Sequence, residues 1–176
     1  MTEFFYVVDE NDNVIGRATR KECHVTNQHI HRSVYIFVIN SKNEIFLQKR
    51  SNKKDLYPGY CTGSATGHVE YGETYESAAK RELKEELGIE NVPIEIIAKF
   101  KCFSEIEREI SALFICKYEG PLKLDKKEIE EGGFFSIEEI KKALQIGEKK
   151  FALGFKLAFK EFMKYYKHNR LIKTAK

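Results

Sequence analysis

The chain has 176 residues, with 30 Lys and Arg against 27 Asp and Glu, and a formal net charge of +3. A chain of this length buries about 70% of its unfolded surface, so we expect one domain spanning residues 1–176. Its 42% hydrophobic and 12% aromatic content excludes a disordered chain, because disordered chains lack the apolar surface that offsets the entropy of ordering.

The first half of the chain predicts β-hairpins. Residues 4–8 and 14–16 are aromatic or β-branched and flank a turn-forming Asp-Glu-Asn-Asp-Asn segment, which predicts a first hairpin. Residues 34–40 and 44–49 flank a short Ser-Lys-Asn turn and predict a second hairpin. A glycine-containing loop, which allows a ligand to approach the backbone closely, should follow as far as Gly67.

The second half of the chain mixes helices and strands. Apolar residues recur at helical spacing over residues 74–87, where Thr74 can cap the first turn and Gly88 can end the helix. The remaining predicted elements are strands over 94–102 and 107–118, a helix over 137–144 that begins after Ser136, and a helix over about 151–166. The expected fold class is therefore α+β.

The predicted helix over residues 74–87 carries acidic residues on one face. Each helical residue advances by about 100°, so Glu82, Glu85 and Glu86 fall within one arc of the helix. Carboxylates so close repel each other, and the local sequence does not supply three cations. A hard divalent cation with oxygen ligands would compensate the charge, whereas the alternative is a solvated charged face.

The glycines, glutamates and arginine around this helix form a longer motif. Its fixed positions are Gly67, Glu73, Arg81, Glu82, Leu83, Glu85, Glu86, Gly88 and Ile89. This motif resembles the Nudix box of the Nudix hydrolases. The resemblance implies an α/β/α sandwich around a mixed β-sheet. It also implies an ion pair between Glu73 and Arg81, and Mg²⁺ or Mn²⁺ held by Glu82, Glu85 and Glu86.

The same resemblance implies an activity. Nudix hydrolases cleave a nucleoside diphosphate linked to another moiety, by attack of water on phosphorus, so the expected substrate is a small-molecule diphosphate. Candidates for the general base are Glu82, Glu85 and Glu86. A later acidic cluster holds the reserve candidates Glu128, Glu130 and Glu131.

A second group of potential metal ligands lies outside this motif. Most histidines fall in the first 68 residues, and Glu107 and Glu109 share one face of a predicted strand. Two co-facial carboxylates with imidazoles could hold a metal, whereas the alternative is a set of surface or hydrogen-bonded histidines.

The stretch from residue 8 to about 114 resembles isopentenyl-diphosphate isomerase, a Nudix-fold enzyme. The resemblance implies a second divalent metal, Mn²⁺, Mg²⁺ or Zn²⁺, on His24, His31, His68, Glu107 and Glu109. It also implies that Arg20, Arg50 and Lys54 bind the substrate diphosphate. The segment Tyr57-Pro58-Gly59 matches the Trp-Pro-Gly of the isomerases.

The sequence departs from the isomerases at two positions. Thr66 replaces their catalytic cysteine and Cys61 replaces a tryptophan, whereas the Nudix box is complete. A threonine hydroxyl is a far weaker acid than a thiol, so proton transfer to an alkene loses its partner. We therefore expect an isomerase-like Nudix hydrolase. The alternatives are isomerase-like activity and a non-catalytic metabolite-sensing module.

The charge distribution separates an acidic centre from a basic tail. Residues 67–90 hold seven Glu against three basic residues, and residues 156–176 hold seven Lys and Arg against one Glu. Phe155, Phe159 and Phe162 recur at helical spacing in the tail, which predicts a helix that packs on the core with a solvated basic back. No RNA-binding motif accompanies it, so a nucleic-acid partner is not expected. A homodimer is left open, since many Nudix enzymes dimerise.

The sequence shows no sign of export. Its longest apolar run, residues 34–39, is far shorter than the ~20 residues that cross a bilayer, and the N-terminus lacks a basic region and an apolar core. The four cysteines form no CxxC pair, which favours free thiols in a reducing compartment. We therefore expect a cytoplasmic protein with no membrane partner.

Overall fold

The computed structural model describes residues 2–174, with side chains as far as residue 169. The strands are β1 Phe4–Val8, β2 Val14–Thr19, β3 Ile30–Ile39, β4 Ile45–Arg50, β5 Cys61–Thr62, β6 Ala65–His68, β7 Glu95–Phe103, β8 Arg108–Lys117 and β9 Ile129–Phe135. The helices are α1 Arg20–Thr26, α2 Tyr75–Leu87, α3 Ile137–Ile146 and α4 Leu153–Thr174.

Strand β3 lies at the centre of a mixed sheet. It runs parallel to β8 in register from His31 opposite Glu109 to Ile39 opposite Lys117. On its other side it pairs antiparallel with β1, β6 and β4 in turn. This arrangement places the beginning of β3 beside β8, β1 and the end of β6, where the side chains of distant segments meet.

The predicted hairpin between residues 34–40 and 44–49 is only partly correct. Strands β3 and β4 are joined in ladder register at Ile39 and Ile45, and then separate. Strand β4 pairs instead with β9 on one side and β5 on the other. The turn prediction was right, but the edges of β3 are occupied by β8 and β6, which are distant in sequence.

Helices cover both faces of the sheet. The alternation of side chains along β3 sends Val34, Ile36 and Val38 into a core under α2, and Tyr35 and Phe37 into a core under α3 and α4. Both cores are buried, since each of these side chains is less than 9% exposed. Two cores on opposite faces of one mixed sheet form the expected α/β/α sandwich.

The local predictions agree well with the structure. The first hairpin is present as β1 and β2. Helix α2 begins after the capping box of Thr74 and ends at Gly88, whose φ of 69° is left-handed and suits glycine. Helix α4 begins two residues later than predicted and continues past residue 166 to Thr174. Helix α1 was not predicted, although Thr19 caps it with Glu22.

The aromatic residues of α4 pack inward as the spacing predicts. Phe155, Phe159 and Phe162 are buried in the core that α4 shares with α3. The lysines of the same helix, Lys156, Lys160 and Lys164, are exposed. The cysteines are free thiols, of which Cys61 is half-buried and the other three are buried. Within residues 2–174, no helix is both long and apolar enough to cross a membrane.

Candidate active site

The acidic face of α2 opens into the main cavity of the molecule, which has a volume of about 420 Å³. Ala78, Leu83 and Leu87 are buried against the sheet and fix the rotation of the helix. Burying two leucines in this way stabilises the docked helix by about 2–3 kcal/mol each. The rotation directs Glu82, Glu85 and Glu86 to the cavity wall.

Arg81 links this helix to the loop before it. Its Nε and Nη2 donate to the two carboxylate oxygens of Glu73, at 2.8 and 3.0 Å. Its Nη2 also donates to the carbonyl oxygen of His68 at 2.9 Å. The ion pair implied by the Nudix motif is therefore present, and it anchors the loop that carries His68 to α2.

Arg81 is a local cation of the acidic face. Its Nη1 lies 2.7 Å from a carboxylate oxygen of Glu82 and 3.1 Å from one of Glu85. One guanidinium shared among three glutamates compensates only part of their charge. Glu86 is not among its partners and relies on other donors.

Glu82 and Glu86 are buried carboxylates whose ionisation is costly. Burial raises the pKa of Glu82 to about 7. Burial and the charge of Glu82 raise the pKa of Glu86 to about 8. Gly67 lies directly against Glu82, and a Cβ at that position would overlap its carboxylate. A cation bound here would remove the cost of ionising both groups.

Gln48 is a site residue that the sequence analysis did not identify. Its side-chain amide donates to Glu86 Oε2 at 2.6 Å and to the Ser64 carbonyl at 3.1 Å. The backbone N–H of Thr66 donates to the same Glu86 oxygen at 3.2 Å. With Oε2 held by two donors, the other oxygen of Glu86 is available to a ligand. The sequence signal that could have identified Gln48 is a polar residue at a core-facing position of the otherwise apolar start of β4.

A second cluster lies beside the same cavity, which two of its members, His68 and Glu109, line. The ligand atoms of His24, His31, His68 and Glu109 all lie within 4.8 Å of one another. The strand register brings His31, His68 and Glu109 together, because Glu109 of β8 and His68 at the end of β6 flank the beginning of β3. Phe5 was missed by the sequence analysis: its ring stacks on His68 at 4.6 Å and on His31 at 5.5 Å.

The donors of this cluster fit a divalent metal. His31 Nδ1 lies 3.4 Å from the His29 carbonyl oxygen, a contact in which only a protonated ring nitrogen can donate. His31 Nε2 lies 3.5 Å from a Glu109 oxygen. Among the described residues, His31 Nε2 and His24 Nδ1 are buried without a hydrogen-bond partner. A cation between the imidazole and the carboxylate would satisfy this arrangement.

The protonation states also suit metal binding. Burial lowers the pKa of His24 to about 4 and that of His68 to about 3, so both rings are neutral at physiological pH. Burial alone would raise the pKa of Glu109, but the imidazoles of His31 and His68 hold it well below its usual range. Neutral imidazoles with an ionised carboxylate are a donor set for Zn²⁺ or Mn²⁺.

Glu107 shares the cavity but lies apart from the four clustered residues. Its Oε2 accepts a hydrogen bond from Tyr57 Oη at 2.9 Å and faces Cys102 Sγ at 3.5 Å. Glu107 precedes the first residue of β8, so its side chain is not fixed by the strand register that orients Glu109. Burial and the charge of Glu109 raise the pKa of Glu107 to about 7.

The predicted diphosphate-binding residues line the same cavity. Arg20 Nη1 lies 3.2 Å from His68 Nδ1, and Arg50 Nε donates to the Leu56 carbonyl at 3.0 Å. Lys54 forms an ion pair with Glu128, which also lines the cavity. The other two reserve glutamates, Glu130 and Glu131, instead pair with Lys49 at 2.8 and 3.6 Å. Asp125, which the sequence analysis missed, completes the acidic wall.

The family model described as "NUDIX domain" matches residues 29–155. The chain belongs to the Nudix family of pyrophosphohydrolases, as the motif over residues 67–89 predicts. The matched region includes α2 and its acidic face, together with His31, His68, Glu107 and Glu109.

Several known proteins resemble the chain over most of its length. It is 38% identical to an uncharacterized Nudix hydrolase of Yersinia pestis, over 78% of this chain and 75% of that protein. It is 32% identical to isopentenyl-diphosphate Delta-isomerase 1 of Photorhabdus laumondii, over 81% of this chain and 84% of that protein. The crystal structure of DR0079 from Deinococcus radiodurans matches with a TM-score of 0.75 and 26% identity, over 89% and 97% of the two chains. The fold is therefore the Nudix fold.

Proposed function

We propose that the protein is a divalent-cation-dependent hydrolase that cleaves the diphosphate linkage of a small molecule, such as a nucleoside diphosphate linked to another moiety. The observation that carries the proposal is the meeting of opposite charges in one cavity. The carboxylates of α2 lie on one wall, and Arg20, Arg50 and Lys54 lie on the others. Such a cavity fits a ligand that binds through phosphate oxygens and through a metal at the same time.

The proposed roles follow from the contacts of each group. Glu82, Glu85 and Glu86 hold a divalent cation, which when bound would neutralise the diphosphate and acidify the attacking water. Arg50 and Lys54 orient the phosphates, because guanidinium and ammonium groups donate only to acceptors such as phosphate oxygens. Gln48 and the Thr66 N–H orient Glu86, and Arg81 orients Glu82.

The cluster of His24, His31, His68 and Glu109 is proposed as a second metal site. Its support is the closeness of the four ligand atoms and, among the described residues, the buried His31 Nε2, which has no hydrogen-bond partner and lies 3.5 Å from a Glu109 oxygen. Mixed nitrogen and oxygen donors favour Zn²⁺ or Mn²⁺ over Mg²⁺. Glu107 would join as a fifth ligand only if it left Tyr57.

Isopentenyl-diphosphate isomerase activity is the second candidate, favoured by the His/Glu cluster and by the named isomerase among the relatives. Thr66 argues against it. This residue lies in the cavity wall directly before Gly67 and His68, and its hydroxyl cannot replace a thiol as an acid toward an alkene. A sensing module without catalysis would have no need for buried carboxylates whose ionisation is costly.

A substrate screen tests the proposal directly. Nucleotide sugars, dinucleoside polyphosphates, coenzyme derivatives and isoprenoid diphosphates are incubated with the protein and Mg²⁺ or Mn²⁺, and phosphate-containing products are measured. We expect hydrolysis of at least one class, reduced about a hundredfold or more by Glu86→Gln, since the loss of a metal ligand costs several kcal/mol.

The matched control is Glu76→Gln on the same helix, where the side chain is 62% exposed and pairs with Lys80. It should retain wild-type turnover. Unchanged turnover in Glu86→Gln would contradict the proposed role of the acidic face. Conversion of isopentenyl diphosphate to dimethylallyl diphosphate would replace the proposal by the second candidate.

A further inference from the structure

Arg20 and His68 make a contact that restricts the chemistry of the imidazole. Arg20 Nη1 lies 3.2 Å from His68 Nδ1. A guanidinium has only N–H donors, so Nδ1 must be the acceptor. The proton of the neutral ring then lies on Nε2, which is the atom that faces the cluster, 3.1 Å from His24 Nε2 and 3.4 Å from a Glu109 oxygen.

This tautomer is the wrong one for a metal ligand. An imidazole binds a metal through an unprotonated nitrogen, and its other nitrogen donates its proton to an acceptor. Arg20 cannot accept that proton. The contact between Arg20 and Nδ1 and a bond between Nε2 and a metal therefore exclude each other in a neutral ring.

The other side-chain contacts of Arg20 are longer. Its guanidinium lies 3.9 Å from carboxylate oxygens of Glu3 and Asp55, and the Arg20 side chain is 33% exposed. Once released from His68, the guanidinium would remain in the cavity that it lines together with Arg50 and Lys54. It would then lack its imidazole acceptor and be available to a phosphate.

We propose that Arg20 and the metal compete for His68, so that filling the His/Glu cluster switches the tautomer of His68 and releases Arg20 to bind the diphosphate. Arg20 is thus a positioning residue that couples the metal site to the phosphate site. The inference rests on the proposed metal site at His24, His31, His68 and Glu109.

The tautomers can be observed without any enzyme activity. Protein with ¹⁵N-labelled histidine is studied by NMR before and after addition of Zn²⁺, and His68→Gln assigns the signals. In metal-free wild-type protein we expect His68 to be protonated at Nε2. After Zn²⁺ is added, we expect the proton on Nδ1. A His68 protonated at Nδ1 before metal addition would overturn the proposal.

The competition is measured by Zn²⁺ affinity in two variants that each remove one cavity cation. Arg20→Met removes the competitor of the metal, whereas Lys54→Met removes a charge from the same cavity without contact to His68. We expect Arg20→Met to raise Zn²⁺ affinity about tenfold more than Lys54→Met does, a magnitude typical of outer-shell partners. Equal effects of the two variants would reduce the role of Arg20 to electrostatics and overturn the proposal.

The experiments separate failure of the proposed metal site from failure of the coupling alone. If Zn²⁺ changes the signals of none of His24, His31 and His68, the proposed metal site is wrong, and the coupling is wrong with it. If Zn²⁺ binds to His24 and His31 while Arg20→Met behaves as Lys54→Met, the metal site stands and the coupling alone is wrong.

Discussion

Tyr57 holds one carboxylate of the cavity away from the cluster of metal-ligating side chains. Its backbone φ of 53° is left-handed, an uncommon conformation for a large side chain, and its hydroxyl donates to Glu107 at 2.9 Å. Glu107 is only two residues from Glu109, so the loss of this bond would leave its carboxylate free to turn toward the imidazoles. This hydrogen bond would therefore decide how many ligands the proposed metal site offers.

The first residue-scale prediction is that Tyr57→Phe frees Glu107 to act as a fifth ligand. Co²⁺ serves as a spectroscopic probe of the proposed metal site, since its visible absorption weakens as the coordination number rises. We expect a weaker Co²⁺ band in Tyr57→Phe than in wild type. Tyr60→Phe, which removes a hydroxyl from a ring that lies tilted against Tyr57 with 5.3 Å between the ring centroids, should leave the spectrum unchanged. A spectrum of Tyr57→Phe identical to wild type would show that Glu107 stays outside the site.

Site residues divide according to what fixes them. Glu82, Glu85 and Glu86 could be identified from sequence because helical spacing and a dense motif define their common face. Gln48 and Phe5 could not, because their roles depend on which strands become neighbours. The sequence analysis placed Glu107 and Glu109 on one face of a strand, because side chains two residues apart point the same way. Only Glu109 lies inside β8, so this rule fixes the direction of Glu109 and not that of Glu107.

At the scale of secondary structure, the turn of the first hairpin ties several elements together. Asp12, whose φ is 68°, accepts hydrogen bonds from Arg32 Nε at 2.6 Å, Lys99 Nζ at 2.6 Å and Tyr75 Oη at 3.1 Å. These partners belong to β3, β7 and α2. One carboxylate thus connects the hairpin to the sheet and to the beginning of the acidic helix.

We predict that Asp12→Asn destabilises the fold by about 2 kcal/mol at pH 7, because hydrogen bonds to a charged group are lost while asparagine still tolerates the left-handed backbone. Burial alone would raise the pKa of Asp12, but Lys99 and Arg32 hold it below its ordinary value of 3.8. The ionised side chain therefore stabilises the native state above pH 3.8, and this contribution disappears as the pH falls further.

Urea denaturation at pH 7 and at pH 3 measures this effect. The difference between wild type and Asp12→Asn should be larger at pH 7 than at pH 3. Asp55→Asn, with a side chain that is 82% exposed, is the matched control and should be nearly neutral at both values. A difference that does not shrink at low pH would assign the loss to packing and not to charge.

The elements themselves were predictable where their signals are local. The caps at Thr74 and Gly88 and the turn after β1 lie within a few residues of the segments that they define. The pairing of β4 was not predictable from its turn, because β6 occupies the edge of β3 beside it and its partner β9 begins only at Ile129. Turn chemistry specifies that two strands reverse direction, but the edges of the whole sheet decide how far they pair.

For the whole molecule, the net charge of +3 conceals a concentration of acid in one cavity. Eight lining glutamates and one aspartate face four Arg and Lys residues across about 420 Å³, and the remaining Arg and Lys residues lie elsewhere. The excess of carboxylates is stable only if protons or metal ions neutralise part of it. Bound protons at low pH and bound metal ions at higher pH should therefore each stabilise the fold.

The last prediction concerns this exchange. In metal-free protein, Glu82 and Glu86 have pKa values raised to about 7 and about 8, whereas the ordinary value is 4.5. A carboxyl whose pKa is higher in the folded state stabilises the fold fully below the unfolded value and loses that contribution as the pH rises through the folded value.

We therefore expect the thermal stability of EDTA-treated protein to fall between pH 6 and pH 9, as an order-of-magnitude figure by about 2–4 kcal/mol. Saturating Mg²⁺ should remove most of the fall, since the ions bind the ionised carboxylates of the native state. Glu86→Gln should flatten the profile of the metal-free protein, whereas Glu76→Gln on the exposed side of α2 should not. Differential scanning calorimetry across this pH range decides the matter: a metal-free protein whose stability is constant from pH 6 to pH 9 would mean that the two carboxylates ionise in the cavity without a metal to compensate them.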